Sequence, residues 1–309
     1  MAKANFTESE KHSQPVEPLG CSTNFADGSF IYFTAFNIFL SITAFVGNTL
    51  ILVALQKDSS LHPPSKLLLR CLATTDLCVG LITEPLYVTY LISLVYEEWN
   101  PLCRYVLVSS NIAGYTLSAV SLLTVTAVSV DRLLALLLSL RYRQKVTSKR
   151  TSVIVVIFWV VSLAAATSDI ISPVINFWFV VIGILLCVAA SFVSYTKIFL
   201  VLRQHQTRVQ DRQQPSQAIS LNIARYKKAV SSALWVQLAL FACYLPYGIV
   251  RATIDNGKLS LSNFLAWELA RTLVYLNSSL NPFLYYWKVG GVKQAVKETI
   301  RQAVCCLSN

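Results

Sequence analysis

The sequence predicts an all-α protein: a bundle of seven membrane-spanning helices, followed by a C-terminal amphipathic helix on the membrane surface. Three observations predict this fold. Only 13% of the 309 residues are charged, whereas a soluble domain averages about 25%. Seven apolar segments each reach the ~18 residues that a helix needs to cross hydrocarbon. Most lysines and arginines fall between alternate segments, on one side of the predicted membrane.

Five of the seven segments are uncharged, and two contain embedded charges. The uncharged segments cover residues 28–56, 105–130, 151–168, 170–196 and 229–250. The second segment (67–96) contains two acids and the seventh (259–287) contains an acid and a base, namely Asp76, Glu84, Glu268 and Arg271. Because a charge inside a membrane is costly, such residues pair with one another or mark a functional site.

The distribution of charge sets the expected orientation. If the N-terminus is outside, most basic residues lie at the cytoplasmic ends of the segments, in the inner loops or in the tail, as cytoplasmic loops require. The net charge of +11 then follows from topology, and no nucleic-acid partner is expected. We predict a multi-pass plasma-membrane protein with an extracellular N-terminus and a cytoplasmic C-terminus.

The predicted organisation has three parts. Residues 1–29 form a polar extracellular tail, in which Asn5 begins an N-glycosylation acceptor sequence. Residues 30–286 form the transmembrane domain. Residues 287–309 form the surface helix, an eighth helix, and a short cytoplasmic tail. No removable signal peptide is expected, because the first residues lack a basic stretch followed by a short apolar core.

The surface helix is predicted from its periodicity. Its valines and isoleucine recur at helical spacing opposite the lysines and arginine, which is typical of a helix lying on an anionic inner leaflet. Cys305 and Cys306 follow it and are candidates for palmitoylation, since a second membrane signal suits a basic surface helix. The alternative is a pair of unmodified thiols.

Short motifs occur in order along the seven segments. They are Gly47-Asn48, Leu72-Ala73-Thr74-Thr75-Asp76, Asp131-Arg132-Leu133, Trp159, Tyr195-Thr196-Lys197-Ile198, Cys243-Tyr244-Leu245-Pro246 and Asn281-Pro282-Phe283-Leu284-Tyr285. Each motif alone is weak, but the ordered set is very specific. In these motifs the chain resembles the rhodopsin-like (class A) G-protein-coupled receptors over nearly all of its length. The resemblance implies a receptor, not an enzyme, that transmits an extracellular ligand signal to a heterotrimeric G protein.

The resemblance also assigns a polar site in the middle of the membrane. Asp76 is a buried carboxylate that needs partners, and Ser121 is three helical turns deeper than Arg132, so it can face Asp76. In the family, residues matching Asp76, Ser121, Asn277, Asn281 and Asn48 surround a sodium ion. Oxygen ligands around one carboxylate suit such a hard cation. The alternative is a sodium-free polar network; no other cofactor is expected.

At the cytoplasmic end, the resemblance implies G-protein coupling through Asp131 and Arg132. Arg132 resembles the arginine that meets the G protein when the bundle opens, and Tyr195 and Tyr285 resemble the tyrosines that move towards it. The alternative is a boundary arginine that only extends to the lipid headgroups. Pro246 and Pro282 remove backbone hydrogen bonds and permit kinks, so with Tyr244 they form the predicted activation hinge.

The inner end of the sixth segment predicts signalling without ligand. In many relatives, an acid in this stretch pairs with the arginine that matches Arg132 and keeps the bundle closed. In this chain the stretch is Ala224-Arg225-Tyr226-Lys227-Lys228. Three cations and no acid should weaken the closed state. A hydrogen bond from Tyr226 is the alternative lock.

The chain departs from the family at several positions. Tyr244 replaces the usual tryptophan, and Cys187 stands where the fifth segment usually has proline. Cys103 is displaced from its usual spacing and has no cysteine partner in the second outer loop, so the usual disulfide is absent. Cys21 and Cys103 could bridge the tail to the third segment, although two free thiols are the alternative. These departures resemble those of the melanocortin, cannabinoid and lysophospholipid receptors.

The outer half predicts a pocket for an acidic ligand. Gly114 stands where amine receptors have their aspartate, so a simple amine lacks its usual counter-ion. Guanidinium groups can grip a carboxylate or phosphate of a small molecule, lipid or peptide, within aromatic walls. The alternative is that Arg271 pairs with Glu268 or Glu84 and Arg251 extends outwards. The predicted pocket consists of Gly114, Tyr115, Ser118, Tyr247, Arg251, Trp267, Arg271 and Tyr275.

The sequence argues against two other classes of membrane protein. A transporter or channel also carries intramembrane charges, but transporters usually show internal repeats, and none is found between the halves. An opsin needs a Schiff-base lysine in the seventh segment. Tyr275 occupies the matching position, and that segment has no lysine before Lys288, so an opsin is excluded.

Overall fold

In a computed structural model, the described parts are residues 21, 29–57, 61–95, 101–138, 141–210, 235, 238–253, 261–288 and 301. These parts are almost wholly helical and contain no strand, which confirms the predicted all-α class. The surface helix expected over residues 287–309 falls almost entirely outside them.

The described helices supply seven spans. Five of the spans are long and apolar enough to cross a membrane by composition; α8 is shorter in its described part, and α9 carries Glu268 and Arg271. α2, the π-helix and α3 make one continuous span, and α5 is a single turn after α4. The elements are α1 (Ser29–Lys57), α2 (Pro63–Cys78), a π-helix (Val79–Thr83), α3 (Glu84–Val95), α4 (Pro101–Leu138), α5 (Tyr142–Lys145), α6 (Ser148–Ile171), α7 (Pro173–Gln210), α8 (Leu238–Thr253) and α9 (Leu261–Lys288).

The π-helix forms where the second span meets α1. The Ser41 hydroxyl donates a hydrogen bond of 2.7 Å to the carbonyl oxygen of Gly80. A Cβ atom on Gly80 would lie 2.9 Å from the Ser41 carbonyl oxygen, so glycine permits this close approach. Because a π-helix contains more residues per turn than an α-helix, it changes the direction in which the side chain of the next residue, Glu84, points from the helix.

The connection between α6 and α7 is even shorter than the short loop expected from the sequence. Only Ser172 separates the two helices. Its amide donates to the Ser168 carbonyl at 2.8 Å, and its own carbonyl accepts from the Asn176 amide at 3.1 Å. The Asn176 side chain also donates to the Ala165 carbonyl at 2.9 Å. Hydrogen bonds and a one-residue connection therefore hold the fourth and fifth spans together at this end.

The bundle is apolar outside and polar inside. Large apolar side chains on the outer faces of α1, α6 and α7 are exposed, including Phe39, Val160 and Leu186, as expected for surfaces that hydrocarbon covers. Inside, α1 packs closely on α9: a Cβ atom on Gly47 would lie 2.8 Å from Cγ of Pro282. This tight contact brings Asn48 against the seventh span.

Candidate functional site

The polar network in the centre of the bundle surrounds Asp76, which is fully buried. Its Oδ1 accepts hydrogen bonds from the hydroxyls of Ser121 and Ser278, both at 2.9 Å. Its Oδ2 accepts from Nδ2 of Asn281 at 2.7 Å. Both carboxylate oxygens therefore have donors, and these donors join the second, third and seventh spans.

The other predicted members of this network lie one step away from Asp76. Asn48 donates to the carbonyl oxygens of Ala44 at 2.8 Å and Ser278 at 3.1 Å. Asn277 donates to the Tyr244 hydroxyl at 3.4 Å and not to Asp76. Ser278 was missed by the sequence analysis, although its position three residues before Asn281 places both on one helical face.

Tyr244 connects this network to the outer half of the bundle. Its hydroxyl donates to the carbonyl oxygen of Ser118 at 3.3 Å and accepts from Asn277. Its ring also lines the cavity described below. The tyrosine that replaces the family's usual tryptophan thus offers a hydrogen-bonded route between the cavity floor and the polar network.

At the end of the bundle predicted to be cytoplasmic, Asp131 bonds to residues that the sequence analysis did not include. Its carboxylate accepts from the hydroxyls of Ser65 at 2.7 Å and Tyr142 at 2.6 Å. Burial and the hydrogen bond to Asp131 raise the pKa of Tyr142 to about 12, so this hydroxyl stays a donor at neutral pH. The neighbouring Arg132 side chain is exposed.

The remaining residues predicted for coupling and hinge motion lie on the expected helices. Tyr195 is half-buried on α7. Tyr285 belongs to α9, but its side chain is outside the description. Pro246 lies within α8 and Pro282 within α9. Residues 224–228 also lie outside the described ranges, so the absence of a lock there stays a prediction.

A cavity of about 130 Å³ opens between the third to seventh spans. Its floor is formed by residues such as Leu122, Cys187 and Tyr244, and its walls are largely apolar. Asn111, Asn176 and Gly183 also line it and were missed by the sequence analysis. Six of the eight predicted pocket residues contribute to the lining: Gly114, Tyr115, Ser118, Tyr247, Arg271 and Tyr275.

Arg271 is the buried cation at the cavity wall. Its Nε lies 3.9 Å from Oε2 of Glu268, and its guanidinium carbon lies 5.3 Å from the centre of the Tyr87 ring. Tyr87 donates its hydroxyl hydrogen bond to the same Glu268 oxygen. Of the two internal partners considered for Arg271, the structure therefore selects Glu268. The Nη1 atom has no hydrogen-bond partner among the described residues.

Arg251 and Trp267 are the two predicted pocket residues that do not border this cavity. Arg251 donates to Oδ1 of Asn176 at 3.2 Å and lies 5.4 Å from the centre of the Trp267 ring. Both contact residues that line the cavity: Arg251 bonds to Asn176, and the Trp267 ring is 5.5 Å from the Tyr247 ring. They therefore form a second layer of side chains behind the cavity wall.

The structure joins Cys21 and Cys103 in a disulfide bond. This was one of the two alternatives left open by the sequence. Cys103 is buried at the start of α4, and Cys21 packs against the same apolar core. The bond fastens the N-terminal tail to the third span. The predicted modification sites at Asn5, Cys305 and Cys306 lie outside the described residues.

Comparison with known proteins assigns the chain to a family. Residues 47–285 match the family described as "7 transmembrane receptor (rhodopsin family)". The chain belongs to this family. It is therefore a G-protein-coupled receptor and a multi-pass membrane protein, and the transporter or channel alternative is not favoured.

Several curated receptors are similar to this one. The adenosine receptor A2a of Canis lupus familiaris is 24% identical over 90% of this chain and 74% of its own length. The human trace amine-associated receptor 9 is 24% identical over 84% of this chain and 81% of its own length. The muscarinic acetylcholine receptor M3 of Rattus norvegicus is 30% identical, but over only 58% of this chain and 28% of its own length.

The receptor differs from amine-binding patterns at the third span. A Cβ atom on Gly114 would lie 2.7 Å from the Tyr275 hydroxyl. The volume that an aspartate would need at position 114 is therefore occupied by Tyr275. The sequence identified the missing carboxylate, but the filling of its place depends on how the third and seventh spans pack.

Proposed function

We propose that this receptor detects a small acidic ligand, holds its carboxylate or phosphate with Arg271, and signals to a heterotrimeric G protein. The observation that carries the proposal is the state of Arg271. This side chain is buried and borders the cavity, and its Nη1 atom has no acceptor in the described part of the chain. A ligand oxygen in the cavity would supply that acceptor.

The internal pairing with Glu268 does not exhaust the capacity of Arg271. A guanidinium has five N–H donors, whereas the nearest contact to Glu268 is at 3.9 Å and the same carboxylate oxygen also accepts from Tyr87. Glu268 and Tyr87 therefore hold Arg271 in position without saturating it. A bound anion would meet a preorganised, partly desolvated donor, which favours charge-assisted hydrogen bonds.

An acidic ligand suits the third span better than a simple amine does. The names of some relatives refer to trace amines and acetylcholine. This receptor has Gly114, packed under the Tyr275 hydroxyl, where amine receptors carry their aspartate. A cation bound at that place would have no adjacent carboxylate on the third span.

The signal would leave the bundle through its inner end. We place the N-terminus outside the plasma membrane and the C-terminus in the cytoplasm, in line with the distribution of basic residues. The exposed Arg132 would then face the G protein, and rotation of α8 and α9 about Pro246 and Pro282 would open its site. The Tyr244 hydroxyl donates to Ser118 on α4 and accepts from Asn277 on α9, which gives the cavity floor a direct contact with both helices.

The network at Asp76 offers ligands that fit a sodium ion. Its carboxylate is joined by the hydroxyls of Ser121 and Ser278 and by the amide of Asn281. Asn281 can present its own oxygen after a side-chain rotation. Such oxygen-only sets suit hard cations. If sodium binds there, it would stabilise the closed bundle, and replacing NaCl with choline chloride should lower the melting temperature of the wild type but not of Asp76→Ala.

The acidic-ligand proposal is tested by a second-messenger screen of carboxylic and phosphate acids on three matched variants. Arg271→Ala should raise the half-maximal concentration of an acid agonist by about tenfold or more, the cost of a charged hydrogen bond. Arg271→Lys should lose part of the potency, because lysine keeps the positive charge but cannot form the bidentate hydrogen bonds of a guanidinium. Arg251→Ala, which alters a residue behind the wall, should have a smaller effect. Unchanged potency in Arg271→Ala at normal surface expression would overturn the proposal.

A further inference from the structure

Glu84 is a buried acid that the network at Asp76 does not use. It begins α3, directly after the π-helix, and its side chain is fully buried. Neither of its carboxylate oxygens has a hydrogen-bond partner in the described ranges. Buried polar groups without partners are rare in folded proteins and need an explanation such as a missing water, ion or ligand.

Thr83, the neighbour of Glu84, lies against the cavity wall. The Thr83 methyl would lie 3.3 Å from a Cβ atom on Gly114, and the Tyr275 hydroxyl would lie 2.7 Å from the same point. Gly114 and Tyr275 both line the cavity. The buried hydroxyl of Thr83 also lacks a partner within the described part of the chain. The side chain of Thr83 thus lies beside Gly114 and Tyr275, and Glu84 is the next residue in the chain.

Arg271 and Glu84 both interact with Tyr275. Arg271 and Tyr275 are four residues apart on α9 and so share a face, and Tyr275 interacts electrostatically with Arg271, Glu268 and Glu84. Among the described residues, the ion pair of Arg271 is made with Glu268 and none is made with Glu84. One incompletely bonded cation and one unbonded acid therefore interact with the same tyrosine.

We propose that Glu84, with Thr83, is a second anchor of the ligand site and binds an ammonium group of the ligand, which is then a small zwitterion of the amino-acid type. The inference rests on the proposed function, because Arg271 takes the acidic group of the same molecule. The ammonium group reaches Glu84 when the Tyr275 side chain moves away from Gly114. A zwitterion supplies a donor to the unbonded acid and an acceptor to Nη1, so both unfilled groups are satisfied by one ligand.

The experiment uses purified full-length receptor and three triads of matched compounds. Each triad contains an amino acid, the acid without its amino group and the amine without its carboxylate. They are phenylalanine, 3-phenylpropionic acid and phenethylamine; leucine, 4-methylpentanoic acid and isopentylamine; and tryptophan, indole-3-propionic acid and tryptamine. The melting temperature is measured against compound concentration, because a ligand that binds the folded state alone raises it.

In at least one triad, the amino acid should bind wild-type receptor about tenfold or more tightly than its deaminated acid, as one charged hydrogen bond provides. Glu84→Gln should reduce amino-acid binding to the level of the acid and leave the acid unchanged. Glu84→Asp should retain part of the difference, since it keeps the charge. This conservative pair separates recognition of the ammonium group from damage to the fold.

Three results would overturn the inference: no binding by any of the three amino acids, equal binding of amino acid and acid in every triad, or an equal loss of both in Glu84→Gln. Failure of the proposed function looks different. In that case the amine would bind as well as the amino acid, and Arg271→Ala would leave that binding intact. If the acids bind through Arg271 but Glu84→Gln changes nothing, the acidic-ligand proposal stands and the second anchor is refuted.

Discussion

The two polar layers of the bundle differ in how far their hydrogen bonds are satisfied. In the inner layer, Asp76 and Asp131 accept hydrogen bonds of 2.6 to 2.9 Å from hydroxyl and amide donors. In the outer layer, Glu84 and the Nη1 atom of Arg271 have no hydrogen-bond partner within the described residues. Because unsatisfied buried groups cost free energy, the inner layer stabilises the bundle, whereas we propose that a ligand completes the outer layer.

Packing follows the same division. Gly47, beside the inner layer, lies so close to Pro282 that a Cβ atom would be 2.8 Å from the proline ring. Gly183 lines the cavity, and a Cβ atom there would meet nothing within 4 Å. The difference shows that α1 and α9 are closely packed beside the inner layer, whereas the cavity wall at Gly183 leaves room for a larger side chain.

Alanine substitution of these two glycines should have opposite effects. Gly47→Ala should lose about 3 kcal/mol of folding free energy, because a rigid, buried proline ring must move. Gly183→Ala should gain about 0.5–1 kcal/mol, since it removes the entropic cost of glycine in a helix. Thermal unfolding of the two purified variants in the same detergent measures both effects. Equal shifts in the same direction would contradict the contrast in packing.

Removal of the Tyr142 hydroxyl tests the inner layer at the G-protein end. Tyr142→Phe should lose about 1.5 kcal/mol, because Asp131 keeps its hydrogen bond from Ser65 but loses one charged hydrogen bond. Ser65→Ala is the matched control, since it removes the other donor. Melting temperatures of both variants against wild type provide the measurement, and no loss in either would show that Asp131 needs neither donor.

The pKa of Tyr142 gives this prediction a pH dependence. The pKa is raised from 10.0 to about 12, so the neutral hydroxyl is favoured in the folded protein. Its stabilising contribution is fully present below about pH 10 and is lost as the pH rises towards 12. The difference in melting temperature between wild type and Tyr142→Phe should therefore stay constant from pH 6 to 9. A difference that shrinks across this range would contradict the assignment.

Tyr244 joins the two layers through its hydroxyl. We expect this hydroxyl to contribute about 1 kcal/mol to the free energy of unfolding, because that is the usual net contribution of a neutral hydrogen bond. Tyr244→Phe keeps the ring at the cavity floor but removes the contacts to Ser118 and Asn277. We expect a small loss of stability and a weaker response at unchanged agonist affinity. The ratio of maximal response to ligand binding measures the effect. A variant with full response would show that the layers communicate by another route.

The smallest expected effect concerns ligand-free signalling. Arg225→Glu should lower basal second-messenger output by up to about fivefold, because an exposed ion pair with Arg132 contributes about 1 kcal/mol at most. Arg225→Gln is the control that removes the cation without adding an acid. Wild-type basal output equal to that of mock-transfected cells, at confirmed surface expression and for each G-protein class, would refute the expectation of an unlocked state.

The fold and the inner layer could be predicted largely from the sequence. Long uncharged segments specify spanning helices whatever their neighbours are, and the spacing of Ser121 from Arg132 was sufficient to place it opposite Asp76. Ser278 shares a face with Asn281, so helical periodicity could have found it. Tyr142 could not be found in this way, because its contact with Asp131 depends on where a loop returns to the bundle.

The outer layer was less predictable because it depends on the rotation of each helix. Arg251 and Arg271 were equivalent in the sequence, yet Arg271 borders the cavity and Arg251 lies behind it on Asn176. The π-helix changes the direction in which the Glu84 side chain points. The residues of Val79–Thr83 show no pattern that would predict a π-helix. The cavity position of Asn176 follows from the one-residue connection at Ser172, which the sequence indicated only as a short loop.

The contrast between the two layers is tested most directly by making the same substitution in each. Asp76→Leu and Glu84→Leu both replace a fully buried carboxylate with an apolar side chain, and the measurement is the melting temperature of ligand-free receptor. Asp76→Leu should melt several degrees below wild type, because it leaves three donors unpaired. Glu84→Leu should melt at or above the wild-type temperature, because it removes an unpaired buried acid. A loss in Glu84→Leu as large as that in Asp76→Leu would contradict the account, since Glu84 would then be as firmly bonded as Asp76.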